Sequence, residues 1–194
     1  MFFPHLHLHR LSLAAEPAIA AAAASAVSAA FAPPAAVHRF INPAGLYDPA
    51  PHGYSHVALA EGALRWVQVA GQGGEGPDGA LPADFGAQVD QALANLQTAL
   101  AAAGAQPAHV LKLTLLIVDH SEARLARVSA AVRRVWGTLP PPACTLIPVP
   151  RLALDGMRFE IDAMAAVPLP PPAPAAWADP LASFASAGRR GRGA

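Results

Sequence analysis

The chain holds one cysteine, Cys144, in 194 residues. An intrachain disulfide and a cysteine-rich zinc site are therefore excluded, and the usage fits a reducing compartment. Lysine is as scarce: Lys112 stands alone, and the other basic residues are arginine. Charged residues make up only 13% of the chain and the net charge is +0. No overall field is available to gather nucleic acid or an anionic membrane. No internal repeat is present, and no long uninterrupted run of large apolar residues. The longest apolar stretch, Ala14 to Ala36, is mostly alanine and is broken by Glu16-Pro17. A transmembrane helix is not expected from it, nor is an export signal, although Arg10 and the run from Ala18 to Phe31 invite that reading. The expected location is cytoplasmic.

What is present is enough apolar residue for a core, 54% of the chain. One domain with tails is the default at this length. Residues 1–36 read as an alanine-rich extension without a packed fold, 37–167 as the domain, and 168–194 as a tail. Pro168, Pro170, Pro171, Pro172 and Pro174 extend that tail, and it ends in "GRRGRGA". His5, His7 and His9 alternate near the start. Alternate residues share a face in an extended chain, so a metal could be held. Without further ligands, solvated tail histidines are the preferred reading, and no metal or other cofactor is expected.

Within the domain the hydrophobic periods change in an orderly way. Val57 and Leu59 share one face of a short strand, Glu61-Gly62 turns, and Leu64 to Ala70 forms the next strand. A hairpin of the two is expected. The glycine-rich "VAGQGGEGPDG" lacks the Lys-Ser/Thr of a phosphate cradle and reads as a flexible loop. Asp84 is placed to cap a helix from Phe85 to about Ala103, with Val89, Leu93, Leu96 and Leu100 as its apolar stripe. Gln88 and Asn95 lie near one face, where satisfying neighbouring backbone groups is the simplest role.

His109 to Val118 is apolar on both faces apart from Lys112 and Thr114, as in a central strand covered by helices. A second helix follows, capped by Ser121 or by an Asp119–Glu122 box. Leu125, Val128, Val132 and Val135 form its stripe, and Arg124, Arg127, Arg133 and Arg134 read as a solvated face. No aromatics interleave with those arginines, so a nucleic-acid surface is not expected.

The last two strands carry the most information. Met157, Phe159, Ile161 and Ala163 alternate with Arg158, Glu160 and Asp162. Ala143 to about Val149 precedes them, with an Asp155-Gly156 turn between. Pro148 and Pro150 confine that strand to a sheet edge. The total is an α+β layer architecture, a mixed sheet with two helices packed on one face.

These motifs resemble the RidA (YjgF) family. "PACTLIPVPRLALDGMRFEIDAMA" is similar to the family's C-terminal signature through Pro142, Ala143, Thr145, Glu160, Ile161, Asp162, Ala163 and Ala165. Asn42-Pro43, the Gly53-Tyr54-Ser55 element, Gly71-Gln72, Gln88, Asn95 and Arg151 also match, in the same order. The resemblance covers roughly residues 38–167. It implies a chorismate-mutase-like fold, a homotrimer, and small-molecule sites in clefts between subunits. It also implies a deaminase-type hydrolase, which converts 2-imino or enamine acids to 2-keto acids and ammonia.

By this resemblance Glu160 positions or activates water and Tyr54 lines the cleft. Ala70, Gly71, Thr145 and Arg158 contribute to substrate binding together with residue 144. Two positions depart from the pattern: Ala70 replaces a serine, and Cys144 replaces the arginine whose fork holds the substrate carboxylate. A thiol has no charge and at most one weak donor. Loss of such a charge-assisted pair removes about 1.5–3 kcal/mol, so typical 2-imino acid deamination is not expected. Two readings stay open. One is a hydrolase of small enamines, imines or related reactive metabolites. The other is a non-catalytic trimer that binds a small metabolite. Cys144 is itself a nucleophile only if its pKa is lowered, with His52 and His56 the nearest candidate bases.

Overall fold

A computed structural model describes residues 37–170. The expected tails at 1–36 and beyond 170 lie outside the described residues. Six strands and two helices follow in the order β1 (Val37–Ile41), β2 (Val57–Glu61), β3 (Leu64–Gln72), α1 (Phe85–Ala102), β4 (Val110–Val118), α2 (Glu122–Trp136), β5 (Ala143–Val149) and β6 (Phe159–Pro168).

The helices begin where the chain offers side-chain oxygens to bare amides. Asp84 Oδ1 accepts from the Ala87 N–H at 2.8 Å, and Ser121 Oγ accepts from the Arg124 N–H at 3.2 Å. A cap of this kind stabilises a helix by about 1 kcal/mol. Helix α1 ends at Gly104, whose φ of 64° suits a residue without Cβ. Its stripe is fully removed from water: Val89, Leu93, Leu96 and Leu100 are at most 1% exposed. Each such side chain stabilises the fold by about 1.5–3 kcal/mol on burial.

The main sheet has the order β3-β6-β4-β5. Strands β3 and β4 run antiparallel to β6, and β5 runs parallel to β4. Phe159, Ile161, Ala163 and Ala165 of β6 join Leu113, Leu115 and Ile117 of β4 beneath the two helices, all nearly inaccessible. Strand β5 is an edge, as Pro148 requires, and β4 lies between β5 and β6.

Several sequence expectations need correction. The hairpin of β2 with β3 does not form. Val57–Glu61 instead pairs antiparallel with Val37–Ile41, as a separate two-stranded sheet. Strand β3 spends its backbone bonds on β6, in pairs that run from Leu64 with Pro168 to Gln72 with Ile161. The sheet is therefore not single.

Strand β4 is covered by helices on one side only. Lys112, Thr114, Leu116 and Val118 on its other side are half-buried. The glycine loop is packed closely. A Cβ on Gly74 would lie 2.6 Å from Gln88 Cα, so the loop rests directly on the α1 backbone.

The α2 arginines are not simply solvated. Arg127 and Arg134 both grip Asp90 of α1, at 2.5 and 2.6 Å. Arg124 lies 4.7 Å from the Phe85 ring centroid, and Arg133 donates to the Pro51 carbonyl. Asp90 loses some solvation by burial, which alone would raise its pKa. Hydrogen bonds from the two guanidiniums and their charges outweigh that and hold it below the usual carboxylate value.

Candidate functional site

Gln88 and Asn95 hold the loops around the sheet's end, as their polar chemistry suggested. Gln88 is fully buried. Its amide donates to Pro82 O at 2.7 Å and Gly156 O at 2.9 Å, and its Oε1 accepts from the Arg158 N–H at 2.8 Å. Asn95 donates to Gly73 O at 3.0 Å and Glu75 O at 2.8 Å. Arg158 is thus anchored by its backbone at the entry to β6.

The side chains of β6 alternate between faces. Glu160, Asp162 and Met164 turn away from the helices. Glu160 lies against Gly71 of β3. A Cβ on Gly71 would overlap Glu160 Oε1 and sit 2.6 Å from Glu160 Cδ. Only a residue without a side chain leaves that carboxylate its place. Burial raises the Glu160 pKa above its ordinary value, and the negative charges of Glu75 and Asp162 raise it further. Ala70 lies beside Gly71, exposed at the same end of β3. Thr145 also belongs to the helix-free face, where it meets the Lys112 ammonium.

Cys144 is on the other side. Its register partner is Leu113, a core residue, and it packs against the helix-side core. It lines a cavity of about 280 Å³ between β5, α2 and the loop before β2. Leu115, Leu125, Val128, Val132 and Leu146 supply most of the apolar wall; Tyr47, His52, Tyr54 and Ser129 supply the polar groups.

Ser55 pins the loop to β5. Its Oγ donates to Pro141 O at 2.7 Å and its N–H to Pro142 O at 2.9 Å. That tie places Tyr54 beside Cys144. The Tyr47 and Tyr54 hydroxyls share a hydrogen bond. His56 Nε2 meets Tyr47 O at 2.8 Å. The rings of Tyr47, Tyr54 and His56 stand edge to face, with centroids 5.2–6.5 Å apart.

The structure therefore divides the seven sequence-predicted site residues. Tyr54 and Cys144 share the cavity. Glu160, Gly71, Ala70, Thr145 and Arg158 belong to the helix-free side. Within one chain Cys144 and Glu160 therefore face opposite sides of the sheet. The cause is the period of two: Cys144 pairs with Leu113, whereas Glu160 pairs with Leu116.

The Cys144 thiol is pushed up to about 11, first by burial, against the Lys112 charge and with that of Asp162. Cys144 is thus a thiol at neutral pH and not an activated nucleophile. Tyr47 and Ser129 were not singled out from the sequence. A lone serine beside the apolar stripe of α2 was the available signal for Ser129; Tyr47 lies in a proline-rich loop without periodicity.

Among the described residues no group of three or more His, Cys, Asp or Glu is placed to hold a metal ion. No helix among them is long and apolar enough to cross a membrane.

Comparison with known proteins places this geometry in a family. The pattern of the family described as Endoribonuclease L-PSP matches residues 47–167. None of the curated proteins matches. Among solved structures, the chain is similar to a protein of unknown function of the conserved Rid protein family, YyfB from Yersinia pestis. Identity is 38% and the TM-score 0.63, over 67% of this chain and 98% of that one. Protein YJGH is 30% identical with a TM-score of 0.50, over 69% and 98% of the two chains. Rv2704 from Mycobacterium tuberculosis, a member of the YjgF/YER057c/UK114 family, is 26% identical with a TM-score of 0.46, over 68% and 100%. With its two helices on a mixed four-stranded sheet, its second small sheet and the family pattern spanning most of the domain, the chain belongs to the RidA (YjgF) family.

Proposed function

We propose that the protein is a hydrolase of small enamines, imines or related reactive metabolites, assembled as a homotrimer with its sites between copies. One observation carries this reading. A carboxylate whose pKa is raised by burial, Glu160, and a small cavity lined by the hydroxyl-bearing Tyr54 lie on opposite sides of one sheet. A second copy seated on the helix-free face would join the two.

That face also carries Trp66, Met164 and Ile147, which are 58%, 37% and 42% exposed. An apolar surface of this kind beside partly desolvated carboxylates suits a subunit interface. In the joined cleft Glu160 takes a proton from water, and the water oxygen bonds to the C=N carbon. The nitrogen leaves as ammonia after accepting protons, and a carbonyl compound remains.

Mixed oligomers test the reading. Glu160→Gln and Tyr54→Ala are each expected to lower ammonia release from a freshly generated imine by about 10²–10⁴-fold. Co-refolded mixtures are expected to regain activity, because some clefts then pair an intact Glu160 with an intact Tyr54. Light scattering of the protein is expected to give three copies. A stable monomer, or mixtures no more active than their parents, would sink the shared cleft.

The neutral Cys144 favours a second reading, a trimer that binds a metabolite without turning it over. Ligand binding without ammonia release from any imine would select it.

A further inference from the structure

We propose that the Cys144 cavity takes an imine bearing no carboxylate, of the kind left when a simple amine is oxidised. The proposal rests on the reading of this cavity as a metabolite site and specifies the ligand's charge.

Among the described residues no lysine, arginine, aspartate or glutamate lines the cavity. Its volume of about 280 Å³ is at the small end for ligand pockets. Cys144, part of the lining, is a neutral thiol. Two cations of the described residues lie near it: Lys112, whose charge reaches Cys144 from the helix-free face where its ammonium meets Thr145, and Arg133, which lines an adjoining outer cleft together with Pro51, His52 and Glu122. The Arg133 guanidinium is engaged by the Pro51 carbonyl, and the Glu122 carboxylate offsets its charge within that cleft. A carboxylate entering the inner cavity would give up its water and meet no lysine or arginine in that wall in return.

An imine carbon with small alkyl or aryl substituents meets what is there. The leucine and valine walls take the apolar part. The hydroxyls of Tyr54, Tyr47 and Ser129 offer hydrogen bonds to nitrogen. The Tyr47 and Tyr54 rings of the lining favour the positive charge of a protonated imine through their electron-rich faces.

The place in a reaction sequence follows. A primary amine loses two electrons and two protons to an oxidase using O2, giving the imine. Water then adds at carbon, the C–N bond breaks, and an aldehyde or ketone and ammonia result. The step supplying this substrate is therefore an amine oxidation, not an amino-acid oxidation.

The test compares two stable probes of nearly equal shape on the full chain, 2-oxobutanoate and 2-oxobutanamide, by titration calorimetry. The uncharged amide is expected to bind at least tenfold more tightly. In Cys144→Arg the order is expected to reverse, because the guanidinium supplies the missing pair. If that variant does not fold, the wild-type comparison alone decides. Equal affinities, tighter carboxylate binding or no binding of either probe overturns the proposal.

Imines generated in place by an amine oxidase and by an amino-acid oxidase separate the two levels. Amide preference without turnover of either imine supports the ligand assignment while removing the catalytic role of Glu160. Turnover confined to the 2-imino acid leaves that role standing and overturns the ligand assignment.

Discussion

Two glycines three positions apart, Gly71 and Gly74, should respond differently to one added methyl. At Gly71 the new Cβ would lie 2.6 Å from Glu160 Cδ and 3.0 Å from its Cγ, where ordinary contact begins near 3.4 Å. Gly71 is not among the glycines with positive φ, so its backbone accepts alanine. The obstructed group is the end of a flexible side chain, which can turn aside. The carboxylate would then be misplaced by roughly 1 Å, and misplacement on that scale can cost about 10²-fold in rate.

At Gly74 the new Cβ would lie 2.6 Å from Gln88 Cα. That atom belongs to the α1 backbone and cannot rotate away. Overpacking of this kind destabilises by about 1–3 kcal/mol. Gly71→Ala is therefore expected to keep its urea midpoint and lose about 10²-fold in imine hydrolysis. Gly74→Ala is expected to lose stability and, where folded, to retain most of its activity. Ammonia release and urea denaturation on both variants decide the matter. Full activity in Gly71→Ala would refute the claim that this close approach sets the Glu160 position.

Three further outcomes are expected. With its pKa at about 11 rather than the ordinary 9.0, Cys144 should react with iodoacetamide at neutral pH about a hundredfold more slowly than a free thiol, as thiolate fraction dictates; a rate matching free cysteine would contradict its burial. Because the Glu160 pKa is raised in the fold, its folded form holds its proton more tightly than its unfolded form, so its contribution to stability is present below the unfolded pKa and is lost as pH rises through the folded one. Glu160→Gln should accordingly flatten that part of the urea-stability profile against pH, and an unchanged profile would count against the shift. Finally, Gln88→Leu leaves the part-buried Arg158 N–H and the Pro82 and Gly156 carbonyls without their partner; with water able to reach some of them, the loss is nearer the low end of about 1–3 kcal/mol for a stranded group, unfolding by urea should show a loss of at least about 1 kcal/mol, and a midpoint near wild type would remove Gln88 as the anchor of β6.

Local chemistry was enough to define both helices. Asp84 and Ser121 are near-neighbour caps, and the stripe from Val89 to Leu100 repeats at the helical period, so no distant residue is needed to read them. The face of β6 was legible for the same reason, since Phe159 to Ala165 alternate without interruption. The motifs shared with the family lie along the chain in order and point to the same domain.

Pairing partners were not written locally. Strand β3 meets β6 across the whole domain, which leaves β2 to β1, because backbone donors are identical at every residue and tertiary packing chooses among them. The candidate site shows the same division. The sequence identified Glu160, Tyr54 and Cys144 as chemistry, and it identified the loss of a cation at residue 144. Only the fold put Cys144 among core side chains and Glu160 on the helix-free face, because side-chain direction depends on register, and register is set by contacts between segments far apart in the chain.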